Sequence, residues 1–318
     1  MNDPVQPTAT PSIIFVTGVD SRMFGQLCLL LGSVCRNSPS VWLHVCDLGL
    51  TEPQRAYLRR SKRLLERPAG RPLRHAWYGK AALGDYIDCL NADFVVWLDA
   101  DLIILNDIVP LVQRLCAEMR AKDQIIAAAG SDALPLGDPS LDQAPGFRRA
   151  MTALDLKSPY LNSGFVICRS REFLVRWAAL CDGLPYELLF EQNAFNLAAY
   201  EQPKRIHLLD PWVWNLCGTA FRSAHIMPNG QGLAVVGHSG RVNILHATSS
   251  ERAKDLCVCY LPVKVNDRLF RPRFKIITCF EALVKYQFRL VIEFITAEAP
   301  ALIASGLGQG SPHPSEGT

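Results

Sequence analysis

The residues that most constrain this chain are Phe94 to Leu98, FVVWL, and the tripeptide that follows them, Asp99-Ala100-Asp101. Five consecutive large apolar residues read as a strand buried on both faces, the pattern of a parallel sheet covered by helices on both sides. Asp99 and Asp101 interrupt the apolar run, which resumes as Leu102 to Leu105, LIIL. Two carboxylates inside so apolar a passage are costly to bury unpaired, so something cationic should neutralise them. A hard divalent ion, Mn²⁺ or Mg²⁺, suits oxygen ligands and keeps positions open for substrate phosphates. Ligands of open α/β sheets bind at the carboxyl ends of the strands, where this pair falls. The plain alternative is a turn capped by Asp101, but a turn needs one such residue and not two flanked by strand.

The surrounding pattern extends the α/β reading. Ser12 to Thr17 (SIIFVT) is a short β-branched strand that breaks at Gly18, and residues 24 to 36 repeat apolar groups at helical spacing. Val41 to Cys46 alternates as a second strand, and Thr51-Glu52-Pro53 opens a second helix with Thr51 as N-cap. Lys80 to Leu90 reads as a helix, Gly164 to Cys168 as a strand, and Ser170 to Cys181 and Glu191 to Tyr200 as helices. Further strands are expected at Arg205 to Leu209 and Val242 to His246, and an apolar helix with basic punctuation at Phe274 to Thr296. Residues 1–11 and 306–318 have the composition of disordered ends. Between them we expect a catalytic domain over 12–262 and a basic amphipathic helical segment over 263–305.

Several function classes lose support. With 33 Lys plus Arg against 30 Asp plus Glu in 318 residues, the net charge of +3 is too small to argue for nucleic-acid binding over the whole surface. Eleven cysteines, among them Cys28, Cys35, Cys46, Cys89, Cys116 and Cys168, stand singly in apolar stretches without a C-x-x-C, and read as reduced core residues of a cytoplasmic protein. The N-terminus lacks the basic and apolar regions of a signal peptide, and no uncharged apolar stretch is long enough to span a membrane. P-loop, dinucleotide, hydrolase-elbow and zincin motifs are all absent.

The order of motifs carries more than any single one. Thr17 to Asp20 (TGVD), Trp97 to Asp101 (WLDAD), Leu161 to Phe165 (LNSGF), Glu191 to Asn196 (EQNAFN), Trp212 to Asn215 (WVWN) and Ile244 to Ala247 (ILHA) together resemble glycosyltransferase family eight. These are GT-A enzymes related to glycogenin and the bacterial lipooligosaccharide galactosyltransferases, and the likeness runs over residues 12 to 255. It implies a Rossmann-like nucleotide-binding fold, with Thr17, Gly18 and Asp20 lining a uridine pocket, Asp99 and Asp101 binding the metal, and His246 as third protein ligand. It places Asn162, Ser163 and Gly164 near the donor sugar, Glu191 and Gln192 at the anomeric carbon, Lys80 as the basic residue ahead of the metal strand, and Asn215 at the floor of the cleft. The family's usual glycine and Lys-Pro-Trp after the ligand histidine are replaced by HATSSERAKD, where Arg252 or Lys254 would have to take the diphosphate. Glu191 stands where aspartate is usual.

The expected function is therefore metal-dependent transfer of a hexose from a UDP-sugar to a saccharide or glycolipid acceptor, with retention of configuration and no nucleic-acid partner. The alternatives are a sugar-nucleotide or glycan-binding protein without catalysis, and a nucleotidyltransferase, which lacks a Gly-rich triphosphate loop here. Two basic clusters bear on the acceptor. The first, Arg55, Arg59, Arg60, Lys62, Arg63, Arg67, Arg71 and Arg74, reads as a solvated helix face or an anionic-partner surface. The second, Arg268, Arg271, Arg273, Lys275, Lys285 and Arg289, surrounds an apolar stretch, so that 268–296 is either a helix on the inner face of the membrane or one docked on the catalytic domain.

Overall fold

A computed structural model describes residues 11–68, 76–87, 90–229, 232–248 and 255–308. Residues 1–10, most of the C-terminal tail, Cys89, Arg71, Arg74, Arg252 and Lys254 lie outside the described residues.

The first half builds the sheet from the inside out. β1 (Ile13–Val19) leads through a short 3-10 turn into α1 (Phe24–Asn37), and β2 (Leu43–Asp47) returns parallel to β1. In α2 (Glu52–Arg60) the Gln54 side chain accepts from the backbone N–H of Thr51 at 2.9 Å, and β3 (Leu64–Leu65) follows on the outer edge of β2. The helix expected over Lys80 to Leu90 is instead two short ones, α3 (Ala76–Ala81) and α4 (Leu83–Tyr86), broken at Ala82. β4 (Phe94–Leu98) is fully buried and parallel to β1, and β5 (Leu102–Ile104) continues the same apolar run after the two aspartates.

After α5 (Val109–Ala121) come β6 (Ile126–Pro135), α6 (Pro145–Ala150) and β7 (Pro159–Cys168). The chain then forms α7 (Arg171–Gly183), α8 (Phe190–Tyr200), β8 (Ile206–Leu209) and α9 (Pro211–Trp214). The central sheet has the order β3-β2-β1-β4-β7-β6-β8. It is mainly parallel, with β7 running against both of its neighbours. One apolar core, with α1 and α5, fills one face of the sheet; a second, with α3, α4, α7 and α8, fills the other.

The last third is richer in strand than the sequence suggested. β9 (His225–Asn229), β10 (Gly232–Gly237) and β11 (Gly240–Arg241) form a meander, and β12 (Ile244–His246) pairs antiparallel with β5. β13 (Leu256–Tyr260), β14 (Val263–Val265), β15 (Arg268–Phe270) and β16 (Arg273–Ile277) make two hairpin ladders before α10 (Glu281–Ala304). The stretch expected as one helix from Phe274 is thus a strand first and a helix only from Glu281. Arg273, Phe274, Lys275 and Ile276 alternate exposed, buried, half-buried and buried, which is strand periodicity.

α10 docks on α1 and the apolar core beneath it. Leu283, Tyr286, Leu290, Val291, Phe294 and Leu302 are buried at helical spacing, and α1 supplies much of the opposing surface. Gly32 makes the approach possible, because a Cβ there would lie 2.5 Å from the Leu290 carbonyl oxygen. The apolar face of α10 is therefore covered by the protein itself, and no helix among the described residues is long and apolar enough to cross a membrane. Two members of the first basic cluster are ion-paired on their own surface: Arg55 bridges Glu52 and Asp47, and Arg59 bridges Glu52 and Glu66. Most described cysteines are buried and none is in a disulfide, but Cys35 and Cys257 are exposed, against the core reading.

Candidate active site

Three unrelated stretches of chain meet at the carboxyl end of β4. Asp99 follows Leu98 directly, and its backbone N–H donates to the Gly164 carbonyl of β7 at 2.7 Å. The β5–β12 ladder sets Leu102 opposite His246, and the Ala247 N–H donates to the Asp101 carbonyl at 2.9 Å. Register alone thus brings His246 to the aspartates. Gly164 clears the space for the ring: a Cβ there would fall 2.4 Å from His246 Cε1.

One ligand atom from each of Asp99, Asp101 and His246 can be chosen so that all lie within 4.8 Å of one another. His246 is buried and presents a fixed nitrogen. Asn215 Oδ1 accepts from Nδ1 at 2.8 Å, which leaves Nε2 facing the Asp101 carboxylate at 3.1 Å. A partner that fixes the far ring nitrogen is the usual support of a metal-bound histidine. Two carboxylates and an oriented imidazole form a donor set that fits a divalent cation of the Mn²⁺ or Mg²⁺ type.

The aspartates are not left bare. Lys80 Nζ, on α3, lies 2.8 Å from Asp99 and 3.6 Å from Glu191, and the Trp97 indole donates to Asp99 at 2.7 Å. Lys275 Nζ, on β16, lies 2.8 Å from Asp101. Burial alone would raise the Asp101 carboxyl, but His246 and Lys275 outweigh it and hold that carboxyl well below the usual carboxylate range. Lys80 is buried as well; burial works against its charge, yet Asp99 and Glu191 outweigh that and raise it.

Glu191 and Gln192 open α8 beside the cluster. Ser163 N–H donates to Gln192 Oε1 at 3.2 Å, and Ser163 Oγ lies 3.4 Å from Glu191 and 3.2 Å from Lys80. Asn162 Oδ1 accepts from the Gly164 N–H at 2.7 Å and so shapes the turn of backbone beneath the histidine. Burial pushes the Glu191 carboxyl up to about 7, against the pull of Lys80, and Glu191 Oε1 is buried with no hydrogen-bond partner.

That shift has a measurable sign. The unfolded chain releases the Glu191 proton near the ordinary 4.5 while the native state keeps it to about 7, so in this window the native state holds more protons and stability falls as pH rises. Glu191→Gln removes the linkage. Urea unfolding should show wild type losing up to about 3 kcal/mol relative to the variant between pH 4.5 and 7, and parallel pH profiles would refute a buried, proton-retaining Glu191.

The expected nucleotide residues lie at the end of β1. Thr17 is buried with an unpartnered hydroxyl. Gly18 packs against Trp97, where a Cβ would come within 2.9 Å of the indole. Asp20 Oδ1 accepts from the N–H groups of Arg22 and Met23 and caps the following turn. Sequence reasoning missed Lys275 as a site residue: it was read as one member of a basic surface cluster. The signal was the alternation around it, Phe274-Lys275-Ile276, which marks a strand with its lysine on the opposite side from two buried neighbours.

No protein-family profile matches the sequence, and no curated protein matches it. Solved structures do. An active-site mutant of LgtC is 16% identical with a TM-score of 0.52, covering 94% of this chain and 97% of that one. The glycosyltransferase GlyE of Streptococcus pneumoniae TIGR4 is 12% identical with a TM-score of 0.49, over 91% of this chain and 64% of that one. The galactosyltransferase LgtC solved with donor and acceptor sugar analogues is 17% identical with a TM-score of 0.48, over 73% and 86%. The chain has the GT-A-like fold of glycosyltransferases.

Proposed function

We propose that the chain is a metal-dependent glycosyltransferase that moves a hexose from a UDP-sugar to a saccharide or glycolipid acceptor with retention of configuration. The observation that carries this reading is the convergence of Asp99, Asp101 and His246 at the carboxyl ends of β4 and β12. Asp99, Asp101 and His246 would hold the ion. When bound, a divalent cation supplies charge neutralisation to the diphosphate that leaves the anomeric carbon.

The protein's own groups do the rest. Thr17, Gly18 and Asp20, at the end of β1, line the uridine side of the cleft, while Asn162, Ser163 and Gly164 hold the donor sugar. Asn215 keeps Nε2 of His246 aimed at the ligand position. Lys80 balances Asp99 and Glu191, so that neither carboxylate repels the incoming diphosphate. Gln192 is an amide and a poor nucleophile, and its Oε1 already accepts from Ser163. A front-face path follows, in which the acceptor hydroxyl attacks from the side of the leaving diphosphate, which takes the proton, while Glu191 and Gln192 flank the positively charged anomeric centre. Arg252 or Lys254 remains the proposed diphosphate contact from the segment after His246.

The test is UDP release from a panel of UDP-sugars with Mn²⁺, with Mg²⁺ and with chelator, followed by NMR of the product anomer. The expected result is metal-dependent release from one donor class and a product of the donor's own configuration. An inverted product would remove the front-face path, and release untouched by chelator would remove the metal. One observation favours the second reading, a sugar-nucleotide-binding protein without catalysis: Lys80 and Lys275 already neutralise both aspartates. On that reading UDP binds and no donor turns over.

A further inference from the structure

Asp101 is bonded to a lysine that comes from outside the central sheet. Lys275 stands on β16, which is pressed so closely on α1 that a Cβ at Gly25 would fall 2.2 Å from the Arg273 carbonyl oxygen. Gln26 Oε1, also on α1, accepts from the Lys275 backbone N–H at 2.7 Å. At the end of the strand, buried Gln287 of α10 accepts from the Ile277 N–H and donates to its carbonyl, each at 2.9 Å. A glycine contact and three side-chain hydrogen bonds thus fix the strand backbone, and the Lys275 side chain, 22% exposed, reaches from it to Asp101 Oδ2. Pinning a long flexible side chain costs conformational entropy, and a divalent ion arriving at Asp101 must compete with its ammonium group.

We propose that Lys275 has two successive partners: it neutralises Asp101 while no metal is present, and it grips the diphosphate of the nucleotide sugar once a divalent cation has taken Asp101. This rests on the reading of the site as a nucleotide-sugar site. An ammonium group and a divalent ion repel each other at one carboxylate, so Nζ would leave Asp101 when the ion binds. The anchored backbone of β16 would keep the displaced Nζ near Asp101, within reach of the diphosphate that a cation held there would attract. A nucleoside diphosphate carries more negative charge than one divalent ion cancels, and a lysine is a suitable point charge for the remainder. The C-terminal hairpins and α10 are then part of the donor site, since they carry and brace this cation.

The experiment titrates Mn²⁺ alone, and then UDP in saturating Mn²⁺, into the full chain by calorimetry, as wild type, Lys275→Met and Lys275→Arg. Lys275→Met is expected to bind Mn²⁺ alone about tenfold tighter, because the competing cation is gone, and UDP about tenfold more weakly, because a charge-assisted hydrogen bond is lost. Opposite signs cannot arise from a general loss of folding. Lys275→Arg keeps the charge and is expected to recover most of the UDP affinity. Unchanged UDP affinity in Lys275→Met overturns the diphosphate role, and weaker Mn²⁺ binding overturns the competition. A wild type that binds no UDP at any Mn²⁺ concentration overturns the nucleotide-sugar reading and this inference with it, a result distinct from a wild type and a Lys275→Met variant that bind UDP equally.

Discussion

Lys80→Met is expected to lower the free energy of unfolding by about 3–5 kcal/mol at neutral pH. Lys80 is buried, with Asp99 at 2.8 Å and Glu191 at 3.6 Å, so its charge is matched inside the protein and not by water. Methionine fills nearly the same space along the stem, so little of the loss comes from a cavity. What remains is the Asp99 carboxylate and the buried Glu191 carboxyl without their shared cation. Without Lys80 the Glu191 carboxyl moves higher still, because Lys80 is the group that pulls it down against burial. The loss should therefore grow as pH rises above 7, where the wild type has released the Glu191 proton and the variant still retains it, and Lys80→Met combined with Glu191→Gln should recover part of it there. Urea unfolding at pH 5 and pH 8 measures both effects. A loss below about 1 kcal/mol would show that the pair is solvated and not a buried ion pair.

Asp101→Asn carries the largest expected effect on turnover. The side chain keeps its shape and its place beside the β5–β12 ladder, so the fold should survive, but one anionic ligand is gone. Removing a group that fixes the charge-stabilising centre of a group transfer typically costs a factor of about a thousand. We expect kcat/KM for the UDP-sugar to fall by about that factor and the Mn²⁺ response to weaken in parallel. His246 and Lys275 both lose their anionic partner, so the variant should also bind Mn²⁺ poorly when no nucleotide is present. Turnover within about threefold of wild type would mean that Asp101 serves the fold and not the chemistry.

How much of this was legible in the sequence follows from range. FVVWL followed by two aspartates specified both a buried central strand and the place of the site, because periodicity and the cost of burying charge are local facts. The helices α1, α2, α7 and α8 were readable for the same reason. The antiparallel course of β7 was not, since strand direction depends on how the chain returns through α6 and its flanking turns. The break between α3 and α4 at Ala82 and the strand at Arg273–Ile277 were lost inside segments whose apolar content suits either element. His246 was found only through the order of motifs, whereas its orientation by Asn215 and the cleared space at Gly164 needed coordinates. Lys275 lies 174 positions from Asp101, and no local rule joins them.

The most direct measurement of the central claim is a thermal-shift comparison of wild type with UDP, in Mn²⁺ and in chelator, beside Asp101→Asn under the same conditions. A ligand that binds only the native state raises the melting temperature by an amount that grows with the logarithm of its concentration relative to Kd. The expected result is a rise with UDP and Mn²⁺ together, lost in chelator and lost in Asp101→Asn. A rise of equal size in chelator, or in the variant, would contradict a diphosphate held through a cation on Asp99, Asp101 and His246.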